Sequence, residues 1–78
     1  MITLKIISPQ EEVLSAEVEL VEIPGTLGRF EVLKDHAPLV SSTEKGVIRY
    51  VHDGESHEIE CAPGFVEVRN NVVTVCVG

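Results

Sequence analysis

Frequent turn residues, with short apolar stretches between them, limit this chain to an all-β fold. The turns are Ser8-Pro9, Pro24-Gly25, Lys45-Gly46, Asp53-Gly54, Pro63-Gly64 and Asn70-Asn71. No segment keeps the apolar spacing of a helix for two turns, whereas Ile2, Leu4 and Ile6 alternate with polar residues as in a strand. This regular spacing of turns and short apolar stretches predicts a two-sheet antiparallel β-sandwich, or flattened barrel, of roughly eight to ten short strands.

The amino-acid composition fits a small sandwich. The chain has 78 residues, of which 44% are hydrophobic, with two Phe, one Tyr and no Trp. A chain of this length buries only ~60% of its unfolded surface, so we expect one domain, residues 1–78, around one compact core. That core must come from Val, Ile and Leu, and β-branched side chains pack well on pleated sheets.

Two local patterns predict how the strands are joined. Between Leu20 and Val21 the alternation of apolar and acidic residues slips by one position, which predicts a β-bulge or a bend in the strand. Asp53-Gly54 and Asn70-Asn71 each predict a tight hairpin whose backbone needs positive φ.

The net charge of −7 disfavours two classes of partner. Nucleic acids and anionic lipid headgroups are bound by clustered Lys and Arg, so we expect no nucleic acid partner and no direct lipid binding.

No apolar run approaches the ~20 residues of a membrane span, and the chain does not begin like an export signal, so we expect a soluble protein. Cys61 and Cys76 lack Cys-x-x-Cys spacing and a secretory context, and we expect both to be reduced core thiols.

The sequence carries no recognisable catalytic or metal site. Its 13 carboxylates mostly alternate with apolar residues, which is typical of solvated strand faces rather than of a general acid and base. In a two-residue hairpin at Asp53-Gly54, His52 faces Glu55 and His57 faces Tyr50. The two imidazoles therefore do not oppose each other, and two ligands fall short of a structural zinc site. We expect no metal, no cofactor and no catalytic residue.

Two other motifs have ordinary structural explanations. Gly25-x-x-Gly28 lacks the helix and the Lys of a phosphate loop, which leaves tight backbone geometry as the reason for its glycines. Ser41, Ser42 and His36 form neither a nucleophile elbow nor a triad.

The segment from Gly28 through Leu39 is the most distinctive part of the chain, and His36 is its centre. Two interpretations stay open for it. In the first, Asp35 and His36 hydrogen-bond a turn whose exit is fixed by Pro38. In the second, the turn is a contact surface for a partner.

Several short motifs, in this order and spacing, resemble one protein family. They are Leu4 to Pro9, Val21 to Gly25, Leu27-Gly28, His36-Ala37-Pro38-Leu39, Gly46 to Arg49, Gly64 to Val68 and Asn71 to Val75. The sequence is similar to the N-terminal β-sandwich domain of the epsilon subunit of F-type ATP synthases, called delta in mitochondria. The resemblance covers essentially the whole chain, and the motif that begins at His36 is its most specific piece.

Two departures from the family pattern stand out. The usual Gly-Glu-Leu-Gly-Ile-Leu-Pro-Gly-His corresponds to Gly28 through His36, where Arg29 stands for the Glu, Glu31 for the second Gly, and Lys34-Asp35 for Pro-Gly. The two-helix C-terminal hairpin of many members has no counterpart in this sequence. The resemblance therefore implies neither inhibition by that hairpin nor nucleotide binding through it.

The resemblance implies a non-catalytic rotor subunit. In the family, the sandwich lies at the foot of the central stalk, against the gamma subunit and on the c-ring, at the cytoplasmic face of the bacterial inner membrane. Proton-driven rotation of these parts yields ATP synthesis. By resemblance, Gly28, Arg29 and Phe30, with the turn of His36, Ala37 and Pro38 nearby, form the c-ring contact. Exposed apolar residues on strands of the C-terminal half are expected to contact gamma.

Two other classes of function stay open to the residues alone. A stand-alone carrier or ligand-binding sandwich of similar size would display a modified Lys on a hairpin, but Asp53-Gly54 and Asn70-Asn71 carry none. A small hydrolase would rest only on His36, Ser41 and Ser42. The resemblance favours the rotor subunit over both.

Overall fold

A computed structural model describes residues 1–78 and contains nine strands and no helix. The strands are β1 (Ile2–Ile7), β2 (Glu12–Val18), β3 (Leu20–Gly25), β4 (Gly28–Val32), β5 (Leu39–Thr43), β6 (Gly46–His52), β7 (Glu55–Cys61), β8 (Gly64–Arg69) and β9 (Val72–Val77). The all-β prediction is confirmed. Since the structure contains strands only, it offers no helix that could span a membrane.

The strands form one curled sheet that folds over into two layers. Their order is β2-β1-β9-β8-β5-β3-β6-β7, with β4 paired to the other edge of β3. The first five strands of that order form the first layer, and β4, β3, β6 and β7 form the second. Gly25 and Thr43 are the single pair of opposed strand residues between β3 and β5, so the sheet turns the corner there. This curled sheet is the predicted sandwich, or flattened barrel.

One strand pair departs from the antiparallel prediction. β1 and β9 are parallel, with Leu4 opposite Val73 and Ile6 opposite Val75. The prediction followed from tight turns, which force consecutive strands to be antiparallel. It does not apply to β1 and β9, because the rest of the chain lies between them.

The core is built from the aliphatic residues that the composition predicted. Thirteen hydrophobic residues are buried. They are Ile2, Leu4, Ile6, Val18, Val21, Ile23, Val32, Ile48, Cys61, Val66, Val68, Val73 and Val75. Both cysteines are free, but only Cys61 belongs to this core, and Cys76 is half-buried on the other side of β9. Burial raises the pKa of the Cys61 thiol.

The predicted slip between Leu20 and Val21 is a corner of the chain. β2 ends at Val18, Glu19 forms a bend, and β3 begins at Leu20 in the other layer. Val18 and Val21 are both fully buried although three positions separate them. The change of layer therefore shifts the alternation of buried and exposed residues. The shift falls between Glu19 and Leu20, one residue earlier than the sequence suggested.

The two ends of the sandwich carry different loops, because each strand reverses the direction of the one before it. The end that holds Met1 also carries the corner at Glu19, residues 33–38, and the turns at residues 53–54 and 70–71; we call it the N-terminal end. The C-terminal end holds residues 8–11, 26–27, 44–45 and 62–63 together with Gly78. Asp53, Gly54, Asn70 and Asn71 all have positive φ, as the two hairpin predictions required.

Candidate partner-binding site

The hairpin between β3 and β4 presents a rigid tip at the C-terminal end. Leu27 at this tip is 101% exposed. Thr26 fixes the tip to β5, since its N–H donates to the Ser42 carbonyl oxygen at 3.1 Å and the two hydroxyls lie 2.7 Å apart. A Cβ on Gly25 would lie 2.8 Å from the Gly28 carbonyl oxygen, so the first glycine is needed for tight backbone packing. The tip therefore holds a large apolar side chain in water.

Two predicted contact residues beside this tip differ in accessibility. Phe30 packs against the core, and its ring lies 2.9 Å from where a Cβ on Gly25 would be. Arg29 is exposed, and its Nε lies 3.4 Å from Glu22 Oε1. Of the three predicted residues beside this tip, Gly28 and Arg29 are therefore exposed, and Phe30 is half-buried.

A pair of arginines shares one carboxylate on the outer face of the second layer. Arg49 Nη2 donates to Glu22 Oε2 at 2.8 Å, while Arg29 contacts the other oxygen. The hydrogen bond from Arg49 is the main cause that lowers the pKa of Glu22. Sequence reasoning missed this cluster, and only the register that places Glu22 opposite Arg49 would have found it.

The predicted turn lies at the opposite end of the molecule. His36, Ala37 and Pro38, which we call the contact turn, follow β4 at the N-terminal end, whereas Gly28 begins β4 at the C-terminal end. Strand β4 alone separates the two segments by about 13 Å at the usual rise per residue. The structure therefore does not bring the six predicted residues into one patch. Their contact with a c-ring stays a prediction.

An apolar strip crosses the outer face of the first layer. Ile7, Cys76 and Phe65 lie opposite one another on β1, β9 and β8, and Val40 on β5 is a diagonal neighbour of Phe65. Phe65 is 53% exposed and Val40 71% exposed. A groove of 350 Å³ runs along one side of the strip, next to Ser8 and Pro9. The expectation of an exposed apolar surface in the C-terminal half is met by Phe65, and the strip also includes Ile7 and Val40, which sequence reasoning missed.

His52 closes the seam between the two layers. Its Nδ1 lies 2.6 Å from the Glu17 carbonyl oxygen on β2, and its Nε2 lies 3.3 Å from Asp53 Oδ2. Beside it, the Glu19 N–H donates to the Val51 carbonyl oxygen at 2.8 Å. Both ring nitrogens therefore face acceptors, and both can donate only when the ring is protonated.

The other predictions for this hairpin are confirmed. His52 pairs with Glu55, and His57 pairs with Tyr50. The rings of His57 and Tyr50 stack with centroids 5.2 Å apart.

Stability is expected to fall with rising pH because of His52. The hydrogen bond to Glu17, with smaller effects of the Asp53, Glu19 and Glu55 carboxylates, raises the pKa of His52 above its ordinary value of 6.5. A raised pKa means that protonated His52 stabilises the fold below pH ~6.5, and that this stabilisation disappears as pH rises through the folded-state pKa. Thermal unfolding from about pH 6 to pH 9 should show the unaltered protein converging on His52→Gln. A difference between the two proteins that stays constant with pH would contradict this.

A family model described as "ATP synthase, Delta/Epsilon chain, beta-sandwich domain" matches residues 1–78. The chain belongs to this family. The ATP synthase epsilon chain of Desulfitobacterium hafniense is 48% identical over 73 residues, which are 94% of this chain and 55% of the relative. That of Thermosynechococcus vestitus is 40% identical over 77 residues, 99% of this chain and 56% of the relative. The chain thus spans about half the length of the curated relatives it matches.

Solved structures have the fold of this delta/epsilon domain. A chain of the Euglena gracilis mitochondrial ATP synthase, in a structure of OSCP, F1 and the c-ring, matches with a TM-score of 0.90 and 24% identity; the match covers 97% of this chain and 49% of that one. A chain from the Tetrahymena thermophila mitochondrial ATP synthase, in a structure of the central stalk and c-ring, has a TM-score of 0.79 and 12% identity, over 97% of this chain and 62% of that one. These likenesses confirm the fold of the delta/epsilon domain.

Proposed function

We propose that this delta/epsilon domain is the β-sandwich of a non-catalytic rotor subunit in an F-type ATP synthase. It would couple the gamma subunit to the c-ring at the cytoplasmic face of the bacterial inner membrane, so that proton-driven rotation yields ATP synthesis. The match of the whole chain to the delta/epsilon family is the observation that carries this proposal. It also favours a rotor subunit over the carrier and hydrolase alternatives.

The shape of the domain suits a part that transmits torque. Both layers share one core of interlocked aliphatic side chains, and close packing makes such a body stiff. Two separate exposed apolar surfaces are available for partners: the apolar strip lies on the outer face of the first layer, and the Leu27 tip projects from the C-terminal end. A coupling element needs this combination, since it must bind two partners at once without deforming.

The apolar strip is our candidate contact for gamma. Its largest side chain, Phe65, lies opposite Cys76, and Cys76 lies opposite Ile7. Cys76 and Ile7 are half-buried, so the three residues form a continuous surface rather than one isolated exposed residue. Exposed apolar surface of this kind is typical of protein–protein contacts. The groove beside the strip offers room for a side chain of the partner.

The hairpin tip is our candidate contact for the c-ring. Leu27 and Gly28 project at the C-terminal end, and Arg29 places a guanidinium directly behind them. The contact turn lies at the other end, so we assign it to gamma and keep only Gly28 and Arg29 of the predicted set for the ring. We propose that the ring loops contribute a carboxylate that faces Arg29.

Arg29→Glu is expected to weaken the association with the ring. The change removes the cation and puts a third carboxylate beside Glu22 and Glu31, which lie opposite each other on β3 and β4. Like charges at that distance repel both one another and an acidic ring loop. The yield of c-subunit recovered with the tagged variant from native membranes measures the effect. Arg29→Lys, which keeps the charge, is the matched control, and equal recovery with the Glu variant would contradict the ring contact.

Affinity purification from the native membrane tests the proposal as a whole. The tagged protein should elute with gamma and c-subunits under mild detergent, and mass spectrometry identifies both. Recovery of the protein without any ATP synthase subunit would overturn the proposed function.

A further inference from the structure

Two residues far apart in sequence, Asp35 and Asn71, hold the loop between β4 and β5 in place. The Asp35 N–H donates to Asn71 Oδ1 at 2.6 Å, and Asn71 Nδ2 donates to Asp35 Oδ1 at 3.2 Å. The two bonds run in opposite directions between the same two residues. They therefore fix both the position and the orientation of Asp35 relative to the turn between β8 and β9, and we call this pair the clamp.

The Asn71 side of the clamp is anchored to the core of the sandwich. The Asn71 carbonyl oxygen accepts a hydrogen bond from the Thr3 N–H at 2.9 Å. Thr3 lies on β1 between Ile2 and Leu4, both of which are fully buried. The clamp thus ties a surface loop to a strand whose alternate side chains are buried in the core.

The Asp35 side of the clamp has an unusual backbone. Asp35 has a φ of 65°, a conformation that costs energy for most residues other than glycine and that Asp and Asn tolerate best. The rest of the loop is closed by the His36 N–H, which donates to the Leu33 carbonyl oxygen at 3.2 Å. These bonds select one conformation for a segment that would otherwise have several.

The clamped conformation presents the contact turn beside the apolar strip. Ala37 and Pro38 are exposed, and Val40 of the strip follows Pro38 by two residues on β5. The strip and the contact turn therefore form one continuous surface along the first layer. A partner that binds the strip is placed to reach the turn, and a turn already held in its bound shape costs less to bind.

We propose that Asp35 and Asn71 are positioning residues, whose reciprocal hydrogen bonds hold the contact turn in the shape that binds gamma. This inference rests on the proposed function. Neither side chain needs to touch gamma, because the clamp acts through the backbone of the turn.

Exchanging the side chains of Asp35 and Asn71, singly and together, distinguishes loss of their mutual hydrogen bonds from other effects of the same substitutions. Asn71→Asp removes the amide donor and sets two carboxylates against each other, so affinity for purified gamma should fall about fivefold. Asp35→Asn keeps an acceptor for Asn71 and should bind like the unaltered protein. In the double variant Asp35→Asn with Asn71→Asp, the amide and carboxylate trade places, and we expect the affinity to return. Both residue types tolerate positive φ, so the backbone is preserved throughout.

Titration calorimetry gives the affinities, and amide hydrogen exchange of residues 33–37 reports whether the turn has loosened. Faster exchange and weaker binding in Asn71→Asp, both reversed in the double variant, would support the clamp. Unchanged binding in Asn71→Asp, or no recovery in the double variant, would overturn the proposed role of the clamp and leave the proposed function in place. If the unaltered protein fails to bind gamma, the proposed function fails and the inference with it.

Discussion

Phe65→Glu is expected to reduce the affinity of this domain for gamma by at least about 30-fold, which equals ~2 kcal/mol. Phe65 is the only aromatic side chain of the apolar strip, and it is half exposed at the centre of the row that joins Ile7, Cys76 and Ser42. Large aromatic residues at the centre of an interface carry most of its binding energy. A carboxylate at the same position would be buried without a partner in the complex. Calorimetric titration with purified gamma measures the loss.

The fold should tolerate this change. Phe65 is outside the buried core, so a surface substitution there is expected to shift the free energy of unfolding by only about 0.5 kcal/mol. Val47→Glu is the matched control, because Val47 lies on β6 in the second layer, where it pairs with Glu60, away from the strip. That variant should bind gamma normally. Equal losses in both variants would indicate a general effect of charge, and no loss in Phe65→Glu would remove the strip from the gamma contact.

Gly64→Ala is expected to destabilise the fold by about 3 kcal/mol or more. An alanine Cβ at this position would lie 1.8 Å from the Cys76 carbonyl oxygen and 2.8 Å from its carbonyl carbon. Gly64 starts β8 opposite Val77, and its N–H donates to Thr43 Oγ1 at 3.1 Å, so the backbone is held from both sides. β9 would have to move away, which disturbs its pairing with β1. The total stability of a domain of this size is only about 4 to 12 kcal/mol, so the loss is a large part of it.

Denaturant unfolding of the two proteins measures this effect. Gly46→Ala is the matched control, since its Cβ would meet only the Pro24 side chain at 3.3 Å and a small shift of the ring relieves that contact. Gly46→Ala should therefore cost much less than Gly64→Ala. Equal midpoints for Gly64→Ala and the unaltered protein would show that β9 can move away from β8 without loss.

Local sequence patterns were sufficient to predict much of this fold. Alternation in β1 placed Ile2, Leu4 and Ile6 on one face, and all three are buried. The Asp53-Gly54 and Asn70-Asn71 turns followed from residue types that accept positive φ. These features depend only on residues that are close together in the chain. The alternation of side chains along a strand and the residue types that accept positive φ are both local properties.

Features that depend on strands distant in sequence were not predicted. The parallel pair of β1 and β9 and the ion pair between Glu22 and Arg49 both require the tertiary register. The same reason explains the candidate site, where the family resemblance implied that Gly28 and His36 belong to one contact, although seven residues separate them. β4 carries the chain from one end of the molecule to the other within that interval.

Photo-cross-linking in the native complex tests the central claim most directly. A photoreactive side chain is placed at Leu27 in one variant and at Phe65 in another, and mass spectrometry identifies the chain captured by each after irradiation of membranes. We predict that position 27 captures a subunit of the c-ring and that position 65 captures gamma. Capture of the same chain from both positions, or of no ATP synthase subunit from either, would contradict a rigid domain that couples two rotor partners through separate surfaces.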